Sequence, residues 1–162
     1  MRKPLPFPNR TLVLLFVLAT AHASAPSPQK VFDSYREALL AHDFAAWKST
    51  LAEEALADLD DAARQLVQRR GITLDEAWAY AFDLFAEMEA CARDYSELWS
   101  RIGEREAQVA YRFRDACTRE DMRKHPERYE GVELIETVRV EFVREADGWK
   151  VLRTVAPATA KE

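Results

Sequence analysis

Apolar residues recur at three- and four-residue steps through the first half of the chain and at two-residue steps through the second, so the pattern predicts helices first and strands afterwards. Val31, Phe32, Tyr35, Ala38 and Leu39 lay one stripe along a helix from about Gln29 to His42. Asp43 is placed to cap a short second helix that carries Phe44 and Trp47. A third helix is expected over Leu51 to Arg70, with Leu51, Ala55, Leu59, Ala62, Leu66 and Arg69 at helical spacing and Gly71 as its stop. Thr73 and Glu76 form a capping box for a fourth, whose stripe of Leu74, Trp78, Ala81, Phe82, Phe85 and Met88 is the strongest in the chain.

After about Arg93 the period becomes two. Ala107, Val109, Tyr111 and Phe113 alternate with polar neighbours, as do Leu134, Val138, Val140 and Phe142. Asp147-Gly148 signals a tight turn into a last strand, Trp149 to Val155, and Tyr95 to Ile102 is a weaker strand joined to the next through Gly103-Glu104-Arg105. The connection from Thr118 to Gly131 is highly charged and is read as a loop. Helices followed by antiparallel strands predict an α+β fold of about four strands, with the helices packed on one face of the sheet.

The N-terminus changes where this domain is expected to reside. Arg2, Lys3 and Arg10 precede the apolar run Leu12 to Ala19 and the small-residue string Ala21-His22-Ala23-Ser24-Ala25, the order of a cleavable export signal. The run is about half of the roughly 20 residues that a membrane span needs. Cleavage after Ala25 would leave Pro26 just past the cut, so cleavage after Ala23 is expected. Ser24 to Pro28 then reads as a disordered leader, residues 29–157 as a single domain and 158–162 as a tail. No cysteine near the cut offers a lipid attachment point, so a periplasmic or secreted protein without a membrane anchor is expected. Loss of the signal moves the formal charge from −5 to −8. With no basic stripe visible along the sequence, neither nucleic acid nor, after cleavage of the signal, an anionic membrane surface is an expected partner.

The first helix with its aromatic stripe, the linker ending in Asp43 with Trp47 beyond it, and antiparallel strands closed by Asp147-Gly148-Trp149-Lys150-Val151 resemble the nuclear-transport-factor-2-like superfamily, which includes ketosteroid isomerase and small dehydratases. The resemblance covers roughly residues 29 to 156 and rests on its two ends. It implies a curved sheet wrapped around helices to leave a cone-shaped cavity, in some members with an acidic base and a tyrosine hydroxyl inside; Glu97 and Tyr111 are the candidates for such roles here.

Four glycines fall at helix ends, turns or strand starts, which leaves none for a phosphate-binding loop, and no nucleophile elbow or zinc-protease motif is present. Two widely spaced cysteines and no close histidine pair make a metal site unexpected, and no cofactor is expected. His42 beside Asp43 invites a general-base reading, but capping explains Asp43. Strand parity instead nominates charges on otherwise apolar faces: Glu97 and Arg101 with Tyr95, Trp99 and Tyr111, and Glu136 and Arg153 on the last two strands. These five positions, Glu97, Arg101, Tyr111, Glu136 and Arg153, either converge on a small-molecule cavity or sit at solvated strand ends or pair and plug the cone.

Two functions follow: a non-enzymatic exported module that binds a small apolar or amphipathic ligand or a protein partner, with a homodimer through the sheet as one arrangement; or a cofactor-independent isomerase or dehydratase with a carboxylate base tuned by burial. A hairpin centred on Gly103-Glu104-Arg105 pairs Trp99 with Val109 and Tyr95 with Phe113, and the same register continues to Cys91 opposite Cys117. A disulfide is therefore expected in an oxidising compartment, the alternative being two buried free thiols. Intact-mass measurement of exported protein is expected to show a chain beginning at Ser24; membrane-bound chain retaining residues 1–23 would refute the export reading.

Overall fold

A computed structural model of the chain describes residues 25–155, so the export signal, Ser24 and the C-terminal tail lie outside the described residues. Helix α1, Pro28–Leu40, begins on Ser27, whose hydroxyl caps Lys30 N–H, and Pro28 is buried at its first turn. Ser27 and Pro28, read from sequence as part of a disordered leader, are thus a cap and a first helical residue; proline is favoured there because its missing N–H has no helical partner. Helix α2, Phe44–Thr50, is capped by Asp43, whose carboxylate accepts Ala46 N–H at 2.9 Å. Capping is what Asp43 does.

Helix α3 spans Glu53–Arg70 and closes on Gly71 in the left-handed conformation, φ +68°. It starts two residues later than its periodicity suggests. Leu51 bridges Val151 and Ala52 N–H donates to the Val151 carbonyl at 2.9 Å, so this short extended piece covers the edge of the last strand. Helix α4, Leu74–Cys91, carries the expected capping box between Thr73 and Glu76.

The fold is α+β, with four antiparallel strands in a simple meander: β1 Ala92–Ile102, β2 Glu106–Asp115, β3 Thr137–Glu145 and β4 Gly148–Val155, ordered β1-β2-β3-β4. Val109, Val140, Phe142 and Val151 on the inner face are almost fully buried against the helices. Trp47 has no exposed surface and sits among Tyr35, Phe44, Phe82 and Phe85, with ring centroids 5.3 to 6.3 Å away.

Two features depart from the sequence reading. The charged segment after β2 contains a helix, α5 Ala116–Lys124, and a 3-10 turn, Pro126–Arg128. Its helicity comes from local terms, Asp115 capping Thr118 N–H at 2.9 Å and Glu120 pairing with Arg123 and Lys124, and it buries no residue, so no apolar stripe announces it. In addition, β1 is irregular between Arg93 and Ser96 and between Glu97 and Trp99. The register drifts as a result: Trp99 faces Ala110 rather than Val109, while Glu97 still faces Tyr111.

Cys91 and Cys117 form a disulfide with Cα atoms 5.2 Å apart. The route differs from the one expected, since Cys91 ends α4 and Cys117 lies in the first turn of α5. The bridge joins two helices just beyond Ala92–Asp115, the last pair of the hairpin. Thiol labelling of denatured, unreduced protein is expected to find no free cysteine. The paired Cys91→Ser, Cys117→Ser variant should lose roughly 3 kcal/mol of stability from loop entropy alone, less if the hairpin persists in the unfolded chain.

Candidate functional site

A cavity of about 540 Å³ lies between α1, α4 and the inner face of the sheet. Phe32, Tyr35 and Leu39 of α1, Phe85 and Met88 of α4, and Phe113 and Val138 of the strands supply most of its apolar lining, and the disulfide and Thr118 form part of its wall. The polar groups are few: Glu89, Tyr95, Asp115, Thr137 and Thr154.

Glu89 is the most constrained of these. It is only 7 % exposed and continues the buried line Trp78, Phe82, Phe85 of α4 by one more helical step. Arg36 Nε donates to Glu89 Oε1 at 2.6 Å, Tyr95 Oη donates to Oε2 at 3.1 Å, and the Arg36 guanidinium lies 3.7 Å over the Tyr95 ring. Burial pushes the Glu89 carboxyl above its usual range although Arg36 and Tyr95 both pull it down. Burial likewise drives the Tyr95 hydroxyl upward, with the neighbouring Glu89 charge adding to it, and takes Tyr35 to about 12. One buried carboxylate, one arginine and two neutral phenols thus stand at one wall of an apolar space.

None of the five charged or tyrosine positions nominated from strand parity lines this cavity. Glu97 and Tyr111 do come together, directly opposite on β1 and β2, but Glu97 is exposed and accepts from Gln29 at 3.3 Å, while the Tyr111 ring stacks on Phe32 at 4.7 Å. The Tyr111 hydroxyl is buried without a hydrogen-bond partner among the described residues.

Arg101 is turned to the outer face because the irregularity after Glu97 shifts parity by one residue; it faces Gln108 and lies over the Trp99 ring. Arg153 is also on the outer face, through a similar irregularity between β3 and β4, and donates to Glu141 at 2.5 Å. Glu136 precedes β3 and organises α5. It accepts Asp115 N–H at 3.0 Å and a two-point contact from Arg119, which holds its carboxyl down to about 2.

Glu89, Arg36 and Tyr95 escaped the sequence reading although a signal was there. The α4 stripe that runs to Met88 ends on a residue that is 62 % exposed, whereas the step from Phe85 to Glu89 marks a carboxylate on the buried side. No ligand-grouped cluster of His, Cys, Asp and Glu suited to a metal ion occurs among the described residues.

No family model matches the chain, and no curated protein matches it. Among solved structures it is similar to the solution structure of a SEC-C motif containing protein from Rhodopseudomonas palustris, at 17 % identity and a TM-score of 0.44 over 82 % of this chain and 80 % of that one.

The raised Glu89 carboxyl has a definite sign in stability. The folded chain holds this proton more tightly than the unfolded one, so its contribution to stability is full below the usual 4.5 and is lost as pH rises through the folded value. Denaturant titrations across that window are expected to show this fall in the wild type and not in Glu89→Gln. Glu89→Ala, which strands Arg36 and the Tyr95 hydroxyl, should cost about 2 kcal/mol or more.

Proposed function

We propose that the chain is an exported, non-enzymatic binding module that holds a small apolar or amphipathic ligand in the cavity between α1, α4 and the sheet. The observation that carries this reading is the cavity itself. Its volume of about 540 Å³ falls in the range of roughly 300–1,000 Å³ typical of small-molecule sites, and its lining is largely aromatic and aliphatic with a few polar groups at one wall. Export is supported by the order of basic, apolar and small residues at the N-terminus and is compatible with the Cys91–Cys117 disulfide.

The nuclear-transport-factor-2-like resemblance belongs to the same reading: helices that precede an antiparallel meander and enclose a space against its inner face suit the cone-shaped pocket of that superfamily. An isomerase or dehydratase using Glu89 as its base is the weaker assignment. Arg36 engages Oε1 and Tyr95 engages Oε2, so both oxygens already accept hydrogen bonds from the protein, as befits a positioning or ligand-orienting role.

The test uses the apolar fluorophore 1-anilinonaphthalene-8-sulfonate. The folded wild type is expected to bind it in one saturable site, and Val138→Phe, which fills part of the space, is expected to bind at least tenfold more weakly at an unchanged melting temperature. Failure of the folded wild type to bind, or binding indifferent to Val138→Phe, would refute the cavity as the site.

A further inference from the structure

The helices cover only one face of the sheet, and the other carries a charge that the sequence order conceals. Register places Arg112 opposite Ser96, Arg101 opposite Gln108, Arg139 opposite Ala110 and Arg153 opposite Glu141, and strand alternation puts all of these with Arg114 on the outer face. The expectation of no basic stripe is corrected here: alternating strands disperse the arginines along the sequence and collect them in space. Glu141 offsets part of the charge by pairing with Arg139 and Arg153, and Asp94 pairs with Arg114, while no salt bridge engages Arg101 or Arg112 among the described residues.

Beside Arg101 stands Trp99, 41 % exposed, whereas the other three tryptophans, Trp47, Trp78 and Trp149, are buried. Leu98, 44 % exposed, adjoins it on the same uncovered edge strand, while Ile102, opposite the buried Ala107, belongs to the inner side. We propose that the outer sheet face, with the Leu98-Trp99 edge as its apolar anchor, docks on an anionic lipid bilayer.

Three observations select this occupant. A second copy stacked face to face would set arginine against arginine, which opposes the homodimer through the sheet. A single-stranded nucleic acid reads a row of aromatic rings, and this face offers one. A planar surface fits the charge layout instead: apart from Glu54 and Asp58 of α3, which lie near Arg153 at the β4 edge, the acidic helices lie behind the sheet, a layer of about 10 Å away and so near one Debye length at physiological salt, and the lipid plane meets the arginines first. An exposed tryptophan next to a leucine and beside arginines matches the chemistry of the headgroup boundary, where an indole and basic residues are favoured together. The chain remains peripheral, since no helix among the described residues is long and apolar enough to cross a membrane.

The experiment uses the chain from Ser24 onward, which contains every helix and strand described above. It is mixed with vesicles of phosphatidylglycerol and phosphatidylcholine in equal parts, with vesicles of phosphatidylcholine alone, and with a 20-nucleotide oligothymidylate. Sedimentation with the mixed vesicles is expected, with a blue-shifted tryptophan emission that brominated lipid quenches and that Trp99→Phe removes. Arg101→Gln with Arg112→Gln should weaken vesicle binding at least tenfold, as should 0.5 M salt, with the melting temperature retained. Absent or equal binding to the two vesicle types, binding indifferent to the arginine pair, or binding to the oligonucleotide in place of vesicles would each overturn the proposal.

Discussion

The architecture depends on the burial of one indole. Trp47 has no exposed surface and is the point at which α1, α2 and α4 meet, through Tyr35, Phe44, Phe82 and Phe85. Burial of a side chain this size contributes about 3 kcal/mol by area alone, and the ring geometries add to it. The short α2 is needed to deliver it: seven residues fixed at one end by Asp43 and continued at the other by the Leu51-Ala52 strap on β4. Tyr35 and Phe85 belong both to this cluster and to the cavity lining, so the cavity lies directly beside it, on the side of Phe32 and Tyr95.

Glu89 then follows as a consequence of space. A carboxylate on the buried line of α4 is tolerated because Arg36 reaches it from α1 and Tyr95 from β1, so three elements converge on one charge pair. Such a pair contributes little net stability compared with an apolar replacement, but it fixes the relative placement of the elements it joins. The same groups define the polar wall of the cavity, which links packing directly to the proposed binding role.

The gross fold was legible in the sequence because it rests on signals that act locally: the α4 stripe with its capping box, the Asp43 cap, the Gly71 stop and the period-two strands all stand in the structure. The site was not, for reasons that can be named. Strand parity propagates only through regular pairing, and the irregularity after Glu97 reverses the side on which Trp99 and Arg101 emerge. Helix α5 is built from a cap and ion pairs with no buried face, so hydrophobic periodicity could not report it. The cysteine pairing was legible despite the drift in register, because the two residues flank the same hairpin end and a disulfide needs only proximity at Cα, not a shared strand.

That bridge gives α5 an unusual standing among the elements. With no buried residue of its own, the helix is retained by Cys117 in its first turn and by the contact of its fourth residue, Arg119, with Glu136 just ahead of β3. Its detachment therefore exposes almost no apolar surface, and the free energy of that opening is decoupled from the cooperative unfolding of the core. In hydrogen-exchange terms the part of α5 beyond its tethered first turn is expected to behave as a separate unit whose amides exchange without waiting for the sheet, while the disulfide keeps Cys117 in the cavity wall.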